Sequence, residues 1–125
     1  MGRGLTLDTG ALIALESRRM RMRQRLQLAT DGGVTITVPS AVIAEWWRGR
    51  TDVREELLAS VSVEPLAESV ARAAGEALAS LGGSNAVDAI VMASAAQRGD
   101  VVYTSDVGDL TRLSEYFRSV KVLGV

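Results

Sequence analysis

Four carboxylates stand out for what surrounds them. Asp8 is the single charge in GLTLDTGALIAL, Glu45 closes the apolar run AVIA ahead of two tryptophans, Asp88 lies within NAVDAIVMASA, and Asp106 follows VVYTS. An ionised acid among apolar neighbours loses hydration, so such a placement asks for a compensating partner. The chain contains neither cysteine nor histidine. Disulfides, thiolate nucleophiles, zinc sites built on nitrogen or sulfur, and histidine general bases are therefore excluded. The remaining chemistry belongs to carboxylates, hydroxyls, amides, Lys and Arg, and any metal would be a hard cation held by oxygen: magnesium, manganese or calcium.

The elements that must position these acids read from pattern and punctuation. Stretches rich in Val, Ile, Leu and Thr predict strands over residues 5–8, 34–38, 61–64, 101–104 and 120–123. Helical spacing fills the gaps over 9–16, 18–29, 40–48, 52–59, 66–81, 85–98 and 110–117, with Gly82-Gly83 as a helix stop between the fifth and sixth. Gly75, inside ARAAGEALAS, is expected to mark close helix packing. Strands alternating with helices predict a parallel sheet covered on both faces, a three-layer α/β/α sandwich. At 125 residues and 47% hydrophobic content the chain suits a single domain over 1–125.

In an open parallel sheet the loops leaving the carboxyl ends of the strands carry the binding site. Helices that return to the next strand begin at that same edge. Asp8 ends the first predicted strand, Asp106 lies just past the fourth, Glu45 sits about one turn into the third helix, and Asp88 lies in the first turn of the sixth. Topology thus brings four acids to one rim. Each also has an ordinary reading: Asp8 as a helix cap, Glu45 as a partner of Arg48 one turn on, Asp88 as reciprocal partner of an Asn85 cap, Asp106 as a turn residue. Jointly they are harder to dismiss, because like charges ~4 to 5 Å apart at an effective dielectric near 20 repel by roughly 3 to 4 kcal/mol per pair. Such a cluster calls for a divalent cation or for raised pKa values.

The ordered segments LTLDTGALIAL, VPSAVIAEWW, NAVDAIVMASA and VVYTSDVGDL resemble the PIN domain, and the small size resembles its VapC type, the toxin half of bacterial toxin–antitoxin pairs. The resemblance implies a five-stranded parallel sheet of order 3-2-1-4-5 and a magnesium- or manganese-dependent endoribonuclease. By position it makes Asp8, Glu45, Asp88 and Asp106 the catalytic and metal-binding acids, with Asp8 and Asp88 first as direct ligands. Asp106 and Glu45 would bind directly, through water, or to a second ion. Thr104 fills the small hydroxyl position before the fourth acid, and Asp109 is an additional acid for an outer water. Where the family often has Arg or Lys before the third acid, this chain has Ser84 and Asn85. The resemblance further implies an RNA substrate, a cognate antitoxin protein and a homodimer.

The formal charge of −1 offers no global attraction for nucleic acid, yet Arg18, Arg19, Arg21, Arg23 and Arg25 crowd together. Arg18, Arg21 and Arg25 share one side of the predicted second helix and are the candidate RNA contacts; a solvated helix face explains them equally well. Trp46 and Trp47 point in different directions on a helix, so one is expected in the core and the other at an interface. No apolar run is long enough to span a bilayer, and a cytoplasmic location is expected. MGRGLT fits a loose myristoylation pattern, but Leu5 and Leu7 read as a buried strand that holds this end in the fold. Two other readings compete with the nuclease. One is a PIN-like module that binds RNA or protein without cleavage. The other is a phosphorylation-controlled receiver, prompted by Thr104 and Lys121, although Asp8 is single and Pro65 occupies the region after the third strand.

Overall fold

The protein, described in a computed structural model over residues 4–17, 20–105 and 107–124, is built on a parallel sheet of five strands in the order β3-β2-β1-β4-β5. The strands are β1 (Leu5–Leu7), β2 (Ile36–Pro39), β3 (Ser62–Glu64), β4 (Val101–Thr104) and β5 (Lys121–Gly124). Helices α1 (Thr9–Glu16) and α2 (Met20–Asp31) link β1 to β2, α3 (Ser40–Trp46) and α4 (Asp52–Ala59) link β2 to β3, α5 (Glu68–Leu81) and α6 (Ala86–Arg98) link β3 to β4, and α7 (Val107–Tyr116) links β4 to β5. The sandwich and strand order expected from the sequence are both present. A receiver has the order 2-1-3-4-5, with its third strand beside the first; here β4 fills that place, so the receiver reading is wrong.

Each sheet face is dictated by alternation. Leu5 and Leu7 point toward α1 and α2, whereas Thr6 points toward α6, where Arg98 and Ser94 reach it or its neighbours. α4 packs on α1 and β3, α7 covers β5, α5 lies against α6 and α7, and α3 continues from β2 to touch both α1 and α6. The core is formed by Leu7, Leu12, Val38, Met92, Val102 and Leu110, all fully buried. Burying one such side chain contributes roughly 1.5–3 kcal/mol.

Several boundaries move by one to three residues. β1 ends at Leu7 because Asp8 caps α1, β2 runs to Pro39, and α3 stops at Trp46. α7 starts at Val107 rather than at residue 110. Gly82 ends α5 at φ 64°, a backbone conformation open mainly to glycine, as the sequence indicated. Gly75 does not mark close packing: a Cβ there would meet nothing within 4 Å.

α6 is fixed at its far end by a polar group the sequence did not advertise. Arg98 pairs with Glu64, donates through Nε to Asp100 Oδ2 at 2.9 Å, through Nη1 to Ser94 Oγ at 2.7 Å and through Nη2 to Thr6 Oγ1 at 2.7 Å. Thr6 in turn donates to Asp100 Oδ2 at 2.8 Å. Losing one partner would strand partly buried charge, which costs less than the about 3–5 kcal/mol of a fully buried pair. The network ties β1, β3, α6 and the entry to β4 into one block.

Gly4 touches this block. A Cβ at Gly4 would lie 2.5 Å from Asp100 Oδ1 and 3.1 Å from the Thr35 carbonyl oxygen. Gly4→Ala is expected to destabilise by ~1–3 kcal/mol through overpacking. Gly75→Ala should instead stabilise by ~0.5–1 kcal/mol, because it only removes helical glycine. Urea unfolding of both variants checks the pair, and equal midpoints would contradict it.

Candidate active site

The strand order reverses between β1 and β4, and the loops at their carboxyl ends meet there. Asp8 leaves β1 and turns at once into α1, its Oδ1 accepting the Ala11 N–H at 2.8 Å as the helix cap. A carboxylate at a helix N-terminus is stabilised by the exposed N–H groups. It is only 7% exposed. Thr9, the first residue of α1, donates from Oγ1 to Glu45 Oε1 at 2.5 Å. Glu45, near the end of α3, faces the same space; the Arg48 guanidinium bonds the carbonyls of Ala44 and Trp47 instead of reaching Glu45.

Asp88 occupies the first turn of α6, where it is the partner of the Asn85 cap. Asn85 caps the helix by accepting the Asp88 N–H at 2.8 Å, and the Asn85 side-chain amide donates to Asp88 Oδ2 at 3.0 Å. Thr104 ends β4 fully buried, and Asp109 lies in the first turn of α7. Asp8, Glu45, Asp88 and Asp109, with Thr9, Gly10, Asn85, Thr104 and Ser105, line a polar cavity of about 340 Å³. Gly10 permits this closure, since a Cβ would sit 2.2 Å from Ser105 Oγ. Asp106 lies outside the described residues, as does Arg18.

The electrostatics report what the acids do to one another. Asp88 is pushed up to about 6, first by burial and then by the charges of Asp8, Asp109 and Glu45; only the Asn85 hydrogen bond pulls it down. Four carboxylates therefore share one field. Among the described residues, no three acids are arranged to hold a metal ion by themselves. The donors are nonetheless all oxygen, carboxylate, hydroxyl and amide, and their repulsion converges on Asp88. That set fits a hard divalent cation, and magnesium in particular keeps several waters and takes few protein ligands.

Residues 5–115 match the family model of the PIN domain. The chain belongs to the PIN-domain family. Its fold closely resembles that of solved structures: DNA-bound VapBC from Salmonella typhimurium (TM-score 0.76, 18% identity, covering 98% of each chain), VapBC2 from Rickettsia felis bound to a promoter DNA fragment (TM-score 0.78, 14% identity, 97% of this chain and 98% of that one) and VapBC-5 from Mycobacterium tuberculosis (TM-score 0.61, 22% identity, 99% and 100%). No curated protein sequence matches it.

Within this PIN domain the structure brings Asp8, Glu45, Asp88, Asp109 and Thr104 around one cavity, and leaves Arg21 and Arg25 off its wall. Arg25 is engaged by the β4–β5 side of the sheet: its guanidinium donates to the Gly124 carbonyl at 3.0 Å and stands 5.8 Å over the Tyr103 ring. Arg21 and Arg23 are exposed. Thr9, Gly10 and Ser105 were missed as site residues. Thr9 and Gly10 directly follow Asp8 at a strand-to-helix turn, and that adjacency is the one signal the sequence carried for them.

Asp88 gives a pH test with a definite sign. Its carboxyl holds a proton more tightly in the folded chain than at its ordinary 3.8. The folded state thus binds more protons between pH 4 and 6, and stability falls as pH rises through that window. Asp88→Asn removes the penalty. In the absence of divalent ions the variant should exceed wild type by ~1–2 kcal/mol at pH 7.5, a figure reduced for the partial exposure of the group. The difference should vanish near pH 4; urea melts showing the same offset at both pH values would contradict it.

Proposed function

We propose that this PIN domain is a magnesium- or manganese-dependent endoribonuclease of the VapC type, a toxin held in check by a cognate antitoxin. The observation that carries the reading is Asp88, raised first by burial and then by the charges of Asp8, Asp109 and Glu45, in a cavity at the sheet's switch point. Like charges so placed are retained where a cation or a reaction needs them. The three structures cited above are all described as VapBC, two of them with DNA bound. They support a partnered toxin here.

Asp8 and Asp88 would hold the ion directly, with Glu45 and Asp106 completing its sphere or binding through water, and Asp109 close enough to orient an outer water. When bound, the cation would polarise a phosphate oxygen and lower the pKa of a coordinated water. Asp88 must be ionised to serve as a ligand, so loading is expected to tighten as pH rises past about 6. Glu45 or Asp106 would accept the proton of the attacking water. In-line attack then leaves a 3′-hydroxyl and a 5′-phosphate. Asn85 keeps Asp88 directed at the cavity from the position where a cation is common in the family.

A second surface suits the antitoxin. Leu15, Met20, Leu26, Ile36 and Leu57 line an open cavity of about 460 Å³ between α1, α2, α4 and β2. Met20, in that lining, is exposed. A homodimer is proposed with it. Among the described residues no helix is long and apolar enough to cross a membrane.

Incubation of structured and unstructured RNA with the purified protein and manganese is expected to give cleavage that Asp8→Asn lowers at least ~100-fold, in line with removal of a site that stabilises transition-state charge. Manganese at ~100 times its dissociation constant should raise stability by about 2.7 kcal/mol. Absence of both effects leaves the non-cleaving binding module. Reversing Arg21 and Arg23 to Glu should weaken RNA binding and reduce the slope of log affinity against log salt by about 2. An unchanged slope assigns that helix to solvent or to a protein partner.

A further inference from the structure

α3 is a short helix of seven residues, and Pro39, which precedes it, offers no side-chain cap. A helix that short does not hold itself in place. Its position must come from tertiary contacts, and α1 supplies two of them. Thr9 and Glu16, seven residues apart and so on one face of α1, meet consecutive residues of α3. Thr9 donates to Glu45 Oε1 at 2.5 Å. Glu16 Oε1 accepts the Trp46 indole N–H at 3.0 Å, while its Oε2 lies 2.9 Å from Arg54 Nε of α4.

The two contacts do different things. Trp46 is buried, so its bond to Glu16 locates the end of α3 between α1 and α4. Glu45 is exposed. Its side chain has three rotatable bonds and no packing to choose among their rotamers. The Thr9 hydroxyl holds one oxygen and leaves Oε2 for the cavity that Glu45 lines. We propose that Thr9 is a positioning residue for Glu45, holding the second acid on the carboxylate rim beside Asp8. The proposal rests on the nuclease reading of that rim and goes beyond it, since it gives Thr9 a task that acts through Glu45.

The test is a double-mutant cycle with two readouts, manganese affinity by calorimetry and RNA cleavage. Thr9→Val is expected to lower both about 10-fold, the usual scale for removing a hydrogen-bond partner of a ligand. Thr9→Ser should restore both. In a Glu45→Ala background, Thr9→Val should cost nothing more, because there is no carboxylate left to position. A Thr9→Val effect that adds in full to Glu45→Ala, or a Thr9→Val protein equal to wild type, would overturn the assignment. The placement is also read without any metal or RNA: nuclear Overhauser contacts between the Thr9 methyl and the Glu45 γ-protons should be present in the wild type, and their absence overturns the proposal. A wild type that cuts no RNA yet shows those contacts and the non-additive manganese effect would sink the nuclease reading while upholding the role of Thr9.

Discussion

Mutual repulsion of carboxylates on one rim is the constraint around which this PIN domain is organised. Asp8, Glu45, Asp88 and Asp109 come from four different elements, and burial of Asp88, reinforced by the charges of the other three, raises its carboxyl to about 6. A chain free to relax would separate them. They stay together because hydrogen bonds anchor them: a helix cap for Asp8, the Asn85 cap and amide for Asp88, and the Thr9 hydroxyl for Glu45. These bonds to the ionised form lower the cost of assembling like charges and leave the remaining oxygens directed inward.

Rigidity at the opposite edge supports this arrangement. α6 carries Asp88 at its start and Arg98 at its end, and Arg98 is bound to Glu64, Asp100, Ser94 and Thr6. The same helix passes across the sheet with Ala89, Val91, Met92 and Ala93 buried. Packing in the middle and an ion network at the far end stop α6 from swinging away under the repulsion at its first turn. Strand pairing does the equivalent for the other half, since Leu5, Thr6 and Leu7 pair with Val101, Val102 and Tyr103 and so set Asp8 beside the end of β4.

The elements were legible because their signals are local. Alternating and β-branched strands, the Gly82-Gly83 stop and the Asn85 cap each act over a few residues, and the strand-helix alternation then implied parallel layers. The acids were legible for a related reason: a charge inside LTLDTGAL or NAVDAIVM is conspicuous against an apolar background. Helix ends were less so. α7 begins at Val107, three residues ahead of its apolar stripe, since the first turn of a helix needs acceptable termini more than buried side chains. Gly75 misled, because a glycine in an alanine-rich helix looks identical whether it faces a neighbour or solvent.

The sequence by itself determined the chemistry available: oxygen donors only, with acids at strand ends and helix starts. Tertiary structure alone decided which groups meet. Asp109 joined the cavity because α7 starts early and turns its first residues toward Asp88; Arg25 went to Gly124 and Tyr103; Thr9 came to face Glu45 across 36 positions of chain. Such contacts depend on how helices settle against the sheet, a balance of packing over the whole molecule that no short stretch encodes. Residue type and spacing are set along the chain, whereas distance and field exist only once it has folded.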